Sequence, residues 1–191
     1  RSQGDFKGGL DCFRRVHALS GRTELDNVGP LIPPSIHAYS WSAQCYAELG
    51  QFDEGIVSGI EARKIAESLD RPLWLFGAYR GFGLLYLRKG DLKPALSLLE
   101  TAVDVCREVG AGTYFQVVAP SLGAVYTLLG RTDEAIGLLS QTVEESEARG
   151  LMSLQAMRLV YLGDAHLTAG SLDEAAECAR KASSEIGRAH V

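Results

Sequence analysis

A chain that repeats itself can bury its apolar residues only by stacking one small unit on copies of itself, and this 191-residue chain repeats every 40 residues. Leu49-Gly50, Lys89-Gly90, Leu129-Gly130 and Ala169-Gly170 mark the interval, and the residues around them repeat too. Gly83, Gly123 and Gly163 are in register with Ala43. Three residues later stand Tyr46, Tyr86, Tyr126 and His166. The columns continue with Gly55, Ala95, Ala135 and Ala175, then Gly59, Leu99, Leu139 and Ala179, then Ala62, Ala102, Thr142 and Ala182. A period of about 20 to 50 residues denotes a supersecondary unit that cannot bury its apolar face alone. Arrays of such units present extended surfaces, so the period points to binding rather than to catalysis.

Locally the repeat is helical. From Asp91 the apolar residues Leu92, Ala95, Leu96, Leu99, Ala102, Val103 and Cys106 follow the i, i+3, i+4, i+7 stripe of an amphipathic helix. Asp91 occupies an N-cap position, and Pro94 falls in the first turn, where a missing N–H costs nothing. Ser171 and Glu174 have the spacing of a capping box. Asp53, Glu54, Asp133, Glu134, Asp173 and Glu174 lie where the positive end of a helix dipole favours carboxylates. Gly50, Gly90, Gly130 and Gly170 are placed for left-handed C-terminal turns. Strand signals are weak, so the fold class is all-α.

The columns read Tyr79-x-x-Phe82-Gly83-x-x-Tyr86 and Ala95-x-x-x-Leu99-x-x-Ala102 in the second full copy. This resembles the tetratricopeptide signature of aromatic, Leu-Gly, Tyr, Ala and large apolar residue. The resemblance implies a right-handed superhelical solenoid of antiparallel helix pairs, with repeats at about 37–76, 77–116, 117–156 and 157–191 and a half repeat at 4–28. The period departs from the family's usual 34 residues. The extra residues follow the Ala102 column, which predicts a second helix about a turn longer and a looser link to the next repeat. Gly4-Asp5-Phe6-Lys7 resembles Gly90-Asp91-Leu92-Lys93, so residues 5 to about 20 are expected to be a second helix whose first helix is absent. With neither end resembling a capping repeat, the chain is expected to be an excerpt of a longer protein. The link containing Gly29-Pro30-Leu31-Ile32-Pro33-Pro34 must break the helix at the first junction.

Charge and composition narrow the function classes. Net charge is -5 and no lysine–arginine stripe forms, which disfavours nucleic acid as a partner. No apolar run approaches the roughly 20 residues that span a bilayer, so no membrane partner and a cytoplasmic location are expected. Cys12, Cys45, Cys106 and Cys178 have no metal spacing and read as reduced, mostly buried thiols. His166 stands in the tyrosine column and reads as a packing residue. Its neighbour Asp164 is two residues away, off the same helix face. His17, His37 and His190 lack partners at ligand spacing. Gly81-Phe82-Gly83 sits inside a helical pattern, where small residues let helices approach, and is no phosphate loop. Glu144, Glu145 and Glu147 read as a solvated face, and Ser140, Ser146 and Ser153 have no paired base. No catalytic set, metal site or cofactor is expected, and the chain is read as non-enzymatic.

In tetratricopeptide arrays the first helix of each pair lines the concave face. The resemblance places His37, Ser40, Gln44 and Glu48 there in the first copy, and Gly77, Arg80, Leu84 and Arg88 in the second. Val117, Pro120, Ala124 and Leu128 follow in the third, then Met157, Val160, Asp164 and Thr168 in the fourth. The lysine and asparagine positions of the family's carboxylate clamps hold other residues here, so chaperone tails are not expected ligands. Arg80 and Arg88 suit an acidic group, while the third and fourth copies suit an apolar segment or helix. The segments from Gly83 to Leu92 and from Leu159 to Leu167 also resemble the C-terminal repeats of bacterial regulators that carry nucleotide-cyclase and signal-transduction ATPase domains. That resemblance implies a regulatory tail binding a protein or peptide, which could be other domains of its own parent chain. A small-molecule sensor using the concave face is the alternative, and self-association through uncapped ends is a further expectation.

Overall fold

The computed structural model describes residues 4–20, 32–69, 71–150 and 154–188. Nine helices and no strand occur among the described residues: α1 (Phe6–Ser20), α2 (Pro34–Glu48), α3 (Phe52–Ser68), α4 (Pro72–Lys89), α5 (Leu92–Glu108), α6 (Gly112–Leu128), α7 (Thr132–Ala148), α8 (Gln155–Thr168) and α9 (Leu172–Arg188). The all-α expectation holds. The chain divides into two compact units, Arg1–Gly112 and Thr113–Val191. His190, Ser153 and the Gly29-Pro30-Leu31 half of the proline-rich link lie outside the described residues. At the edge of that link Pro33 is the N-cap of α2 and Pro34 its first residue, where proline's fixed φ suits a helix start.

One kind of turn punctuates the chain. Gly50, Gly90, Gly130 and Gly170 adopt φ of 72, 81, 74 and 82°, as their placement predicts. At Gly50 the glycine N–H donates to Ala47 O at 3.1 Å, and the next N–H, of Gln51, reaches back to Tyr46 O at 2.9 Å. This pair of bonds is the Schellman arrangement. The same bonds recur at Gly90, Gly130 and Gly170, each time ending on the carbonyl of Tyr86, Tyr126 or His166. The tyrosine column thus closes the turn through its backbone, which is why a histidine can stand in it.

The 40-residue period puts additional length into first helices as well as second, where only the second helix and the link were expected to lengthen. The first helices α2, α4, α6 and α8 span 15, 18, 17 and 14 residues. The second helices α3, α5, α7 and α9 each span 17. The boundaries drawn at 37, 77, 117 and 157 therefore fall inside first helices. Nor is the link at 109–111 loose. Gly110, at φ 66°, donates to Arg107 O at 3.2 Å, and Ala111 to Cys106 O at 2.8 Å. The reason is visible in α6: Phe115 and Val118 are buried ahead of the Ala119 column, so apolar patterning starts the first helix earlier and uses residues expected in the link. Asp91 is the N-cap of α5 but makes no capping bond. Its carboxylate lies 3.7 Å from Lys89 instead.

In the first unit α1 packs on α2, with the rings of His17 and Tyr39 3.8 Å apart, as expected for a second helix. Helix α2 pairs with α3 and lies beside α4, which pairs with α5. Ala43, Ala47 and Leu85 form a buried cluster flanked by Phe52, Ile56 and Tyr86. In the second unit Ala135, Leu139, Leu162, Ala165 and Cys178 form another, flanked by Tyr126, Ile136, Val143 and Tyr161. Two glycines set the approach of α4 to its neighbours. A methyl on Gly83 would meet Leu99 Cγ of α5 at 2.7 Å, and one on Gly81 would meet the Ser40 carbonyl O of α2 at 2.6 Å. Both are shorter than real Cβ contacts, so Gly81-Phe82-Gly83 is a packing motif.

Candidate functional site: the first-helix face

The first helices differ from the second in charge before any contact is considered. Of the 24 carboxylates, sixteen lie on the second helices of the full repeats, four on α3, three on α5, five on α7 and four on α9. The first helices carry two, Glu48 and Asp164. Helix α4 has none, and holds Arg80, Arg88 and Lys89. Like charges spread along one layer repel an acidic partner from it, so an acidic group meets least opposition on the face made by α2 and α4.

That face is built by two helices running side by side in register. A methyl on Gly77 would meet Ile36 at 3.5 Å, and one on Gly81 would meet Ser40. Further along, Arg88 Nε donates to Glu48 Oε1 at 2.9 Å. The two partners occupy the same column of adjacent repeats. The pair is half exposed, and such surface pairs contribute only about 0.2–1 kcal/mol. Two turns up, the Arg80 guanidinium lies 5.6 Å from the centre of the Trp41 ring. His37 opens to solvent at the start of the face. Partial desolvation by the side chains around it, and secondarily the charge of Arg80, lower its pKa below the usual imidazole value.

The expected groove residues divide sharply by exposure. Glu48 and Arg88 are exposed, and Arg80 and Leu84 are half-buried on the same face. Ser40 and Gln44 are buried at 3% and 4% exposure, because Gly81 lets α4 press directly on α2. Gly77 is likewise buried. Gln44 Nε2 donates to the Ser40 carbonyl of its own helix at 3.3 Å. In the second unit Ala124 and Met157 are half-buried, Pro120 is buried, and Asp164 and Thr168 are exposed. Leu128 and Val160 are 61% and 46% exposed, which leaves apolar side chains open on α6 and α8.

The second unit also holds a polar cluster, which draws in Glu145 and Glu147 from the run read as a solvated face, with Ser146 between them. Arg158 is 2% exposed. Its Nη2 donates to the Gln116 carbonyl at 3.1 Å and its Nη1 to Gln155 Oε1 at 3.3 Å. Ser146 Oγ donates to the same Gln155 oxygen at 2.7 Å, and Gln155 Nε2 reaches Glu147. Gln116 Nε2 donates to Glu145 at 2.9 Å. Burial lowers the Arg158 pKa from its ordinary value. The register carries a signal for it: Arg158 stands in the column of Ala38, Ala78 and Val118, all fully buried apolar residues.

The remaining titratable groups are structural. The Cys106 thiol is pushed up to about 12 by burial, and Cys178 is raised chiefly by the same cause. Burial and a hydrogen bond to Glu67 raise Tyr79. Arg131 lies 4.2 Å over the Tyr126 ring and forks onto Glu134, holding that carboxyl below its usual value. Among the described residues no group of His, Cys, Asp and Glu could hold a metal ion. No helix among them is long and apolar enough to cross a membrane.

Comparison with known proteins agrees with this architecture. The tetratricopeptide repeat family model matches residues 35–108, the first two helix pairs. A search of the curated proteins gives no match. Among solved structures, the TPR-like repeats of a putative kinesin light chain from Podosopora anserina superpose with a TM-score of 0.69 at 19% identity, over 99% of this chain and 90% of that one. A thermophilic TPR protein from Thermus thermophilus gives 0.69 at 22% identity, over 96% and 84%. A signal-transduction ATPase with numerous domains from Pyrococcus horikoshii, described as carrying a tetratricopeptide repeat sensor, gives 0.66 at 19% identity, over 79% of this chain and 24% of its own. Family model and structures together support a tetratricopeptide-type repeat, and the fold is TPR-like.

Proposed function

We propose that this chain is a protein–protein interaction module whose ligand, a protein or peptide, lies on the first-helix faces. The observation that carries the reading is the contrast between columns. The repeating columns of Ala43, Gly83 and Gly123 and of Gly55, Ala95 and Ala135 are buried between helices, whereas Glu48, Arg80, Leu84 and Arg88 differ from copy to copy and reach the surface of one face of α2 and α4. Packing does not require Arg80 to be arginine, since Ser40, Pro120 and Val160 fill its column elsewhere. Leu128 and Val160 give the second unit an apolar face of its own, suited to a helix or apolar segment.

The finer reading is a regulatory tail that holds or senses a partner for catalytic domains elsewhere in a bacterial signalling protein. What supports it is the resemblance of residues 83–92 and 159–167 to tails of that kind, together with the likeness to the Pyrococcus horikoshii ATPase, whose repeats are described as a sensor. The test begins with peptides selected from a displayed library on the wild-type chain. Arg80→Ala combined with Leu84→Ala should weaken their binding at least about tenfold, as for loss of a buried arginine and apolar anchor. Undiminished binding by that double variant, with its helicity intact, would sink the assignment of the face.

A further inference from the structure

Two exceptions to the repeat, Pro120 and Arg158, meet in the second unit. Pro120 lies in the interior of α6. It has no N–H, so the carbonyl four residues back loses its helical hydrogen bond. That carbonyl belongs to Gln116, and it is the one that Arg158 Nη2 of α8 reaches at 3.1 Å. We infer that Pro120 and Arg158 form a register lock, in which the first helix of the fourth repeat recognises the third repeat by the carbonyl that proline leaves open.

The need for a lock follows from the repetition itself. Gly83, Gly123 and Gly163 are interchangeable in register, as are Tyr46, Tyr86 and Tyr126. Apolar stacking alone therefore discriminates poorly between correct order, slipped order and exchange of repeats between two copies of the chain, the characteristic failures of repeat proteins. A buried guanidinium changes that balance. It is costly wherever its donors go unmet, and proline in the middle of a first helix leaves a carbonyl there without its helical N–H partner. The residues in the Pro120 column are Ser40, Arg80 and Val160. Each has an N–H, so α2, α4 and α8 offer no carbonyl freed in this way. Gln155 extends the selection to α7, because the oxygen that takes Arg158 Nη1 also takes the hydroxyl of Ser146. Earlier copies hold Ala66 and Cys106 in the Ser146 column. Specificity here is set by what the wrong pairing would leave unsatisfied.

A double-mutant cycle on the intact chain tests the lock, read by urea unfolding followed by circular dichroism. In the Pro120 chain, Arg158→Met strands a buried carbonyl. In the Pro120→Ala chain the new N–H at position 120 takes that carbonyl back. Arg158→Met should therefore shift the unfolding equilibrium about tenfold more in the first background than in the second, the cost of an orphaned acceptor. The Pro120→Ala background also supplies a well-folded pair, should Arg158→Met alone not fold. A second arm refolds the wild type and the Pro120→Ala, Arg158→Met variant at high protein concentration and measures mass by light scattering. The double variant should give the larger associated fraction. Equal shifts in the two backgrounds, or equal associated fractions, overturn the proposal.

Discussion

Replacing Gly81 by alanine sets two effects of known sign against each other. Alanine in a helix interior is favoured over glycine by about 1 kcal/mol, so a helical glycine with open space around it should be improved by the change. Gly137 of α7 is such a position, with nothing within 4 Å of a built methyl. Gly137→Ala should stabilise by about 0.5–1 kcal/mol. At Gly81 the methyl would lie 2.6 Å from the Ser40 carbonyl oxygen and 2.9 Å from Ser40 Cα. Ordinary contact begins at 3.4 Å, and both atoms are backbone of α2, which cannot rotate away. Relief requires α4 to move off α2, with the Glu48–Arg88 pair and the Arg80–Trp41 contact on the same seam. Overpacking of this kind costs about 1–3 kcal/mol. Two backbone contacts under 3.0 Å put the cost in the upper part of that range, about 2–3 kcal/mol, so a net loss of about 1–2 kcal/mol remains after the helix-propensity gain. Trp41 and Trp74 are the chain's two tryptophans and both lie in the first unit, so fluorescence-detected urea unfolding reads the perturbed seam directly. Ser40→Ala added to Gly81→Ala removes the clashing hydroxyl but not the carbonyl, and should recover only part of the loss. A Gly81→Ala chain as stable as the wild type would refute the argument that glycine is present for close approach.

Three further outcomes can be checked on the same protein. His17 and His37 both have pKa values lowered in the folded chain, chiefly by partial desolvation. The unfolded chain therefore takes up protons first as pH falls below about 6.5. Stability should decline through that window and level off below the folded values, and His17→Gln with His37→Gln should flatten the decline in melting temperature. Cys12 is exposed while Cys45, Cys106 and Cys178 are buried. A chromogenic disulfide reagent should thus titrate one thiol rapidly, and the other three only on unfolding. A double-mutant cycle on Glu48 and Arg88 should return a coupling of no more than about 1 kcal/mol, diminishing with salt, as for exposed pairs generally.

Much of this fold can be read from the columns because the columns are the packing. The left-handed glycines, the small residue at Gly83 between α4 and α5, and the helix at 6–20 all follow from single-residue requirements that recur. What the columns do not show depends on pairs. Glu48 and Arg88 belong to separate copies in the sequence, yet two residues in one column of adjacent repeats lie side by side when first helices run parallel. The register puts Ser40 and Gln44 on an open face, but how deeply that face is buried depends on Gly81 of the next repeat. Arg158 breaks an apolar column, and Pro120 breaks a helix. Each is an anomaly alone, and only the distance between them makes sense of both. Spacing after the Ala102 column places the additional length of each repeat in the second helix, whereas burial of Phe115 and Val118 draws the first helix back towards Gly112.

The uneven placement of carboxylates bears on how the protein will behave at a charged surface. Five lie on α7 with no basic residue in that helix, and α4 has none. On a positively charged resin or sensor chip each unit should adsorb by its second helices and turn its first helices to the liquid. Of the five lysines Lys89, beside Arg88, lies on a first helix, so amine coupling would block part of the face under study in those molecules held through that residue. An electrostatically immobilised sample should therefore retain ligand capacity that an amine-coupled one loses.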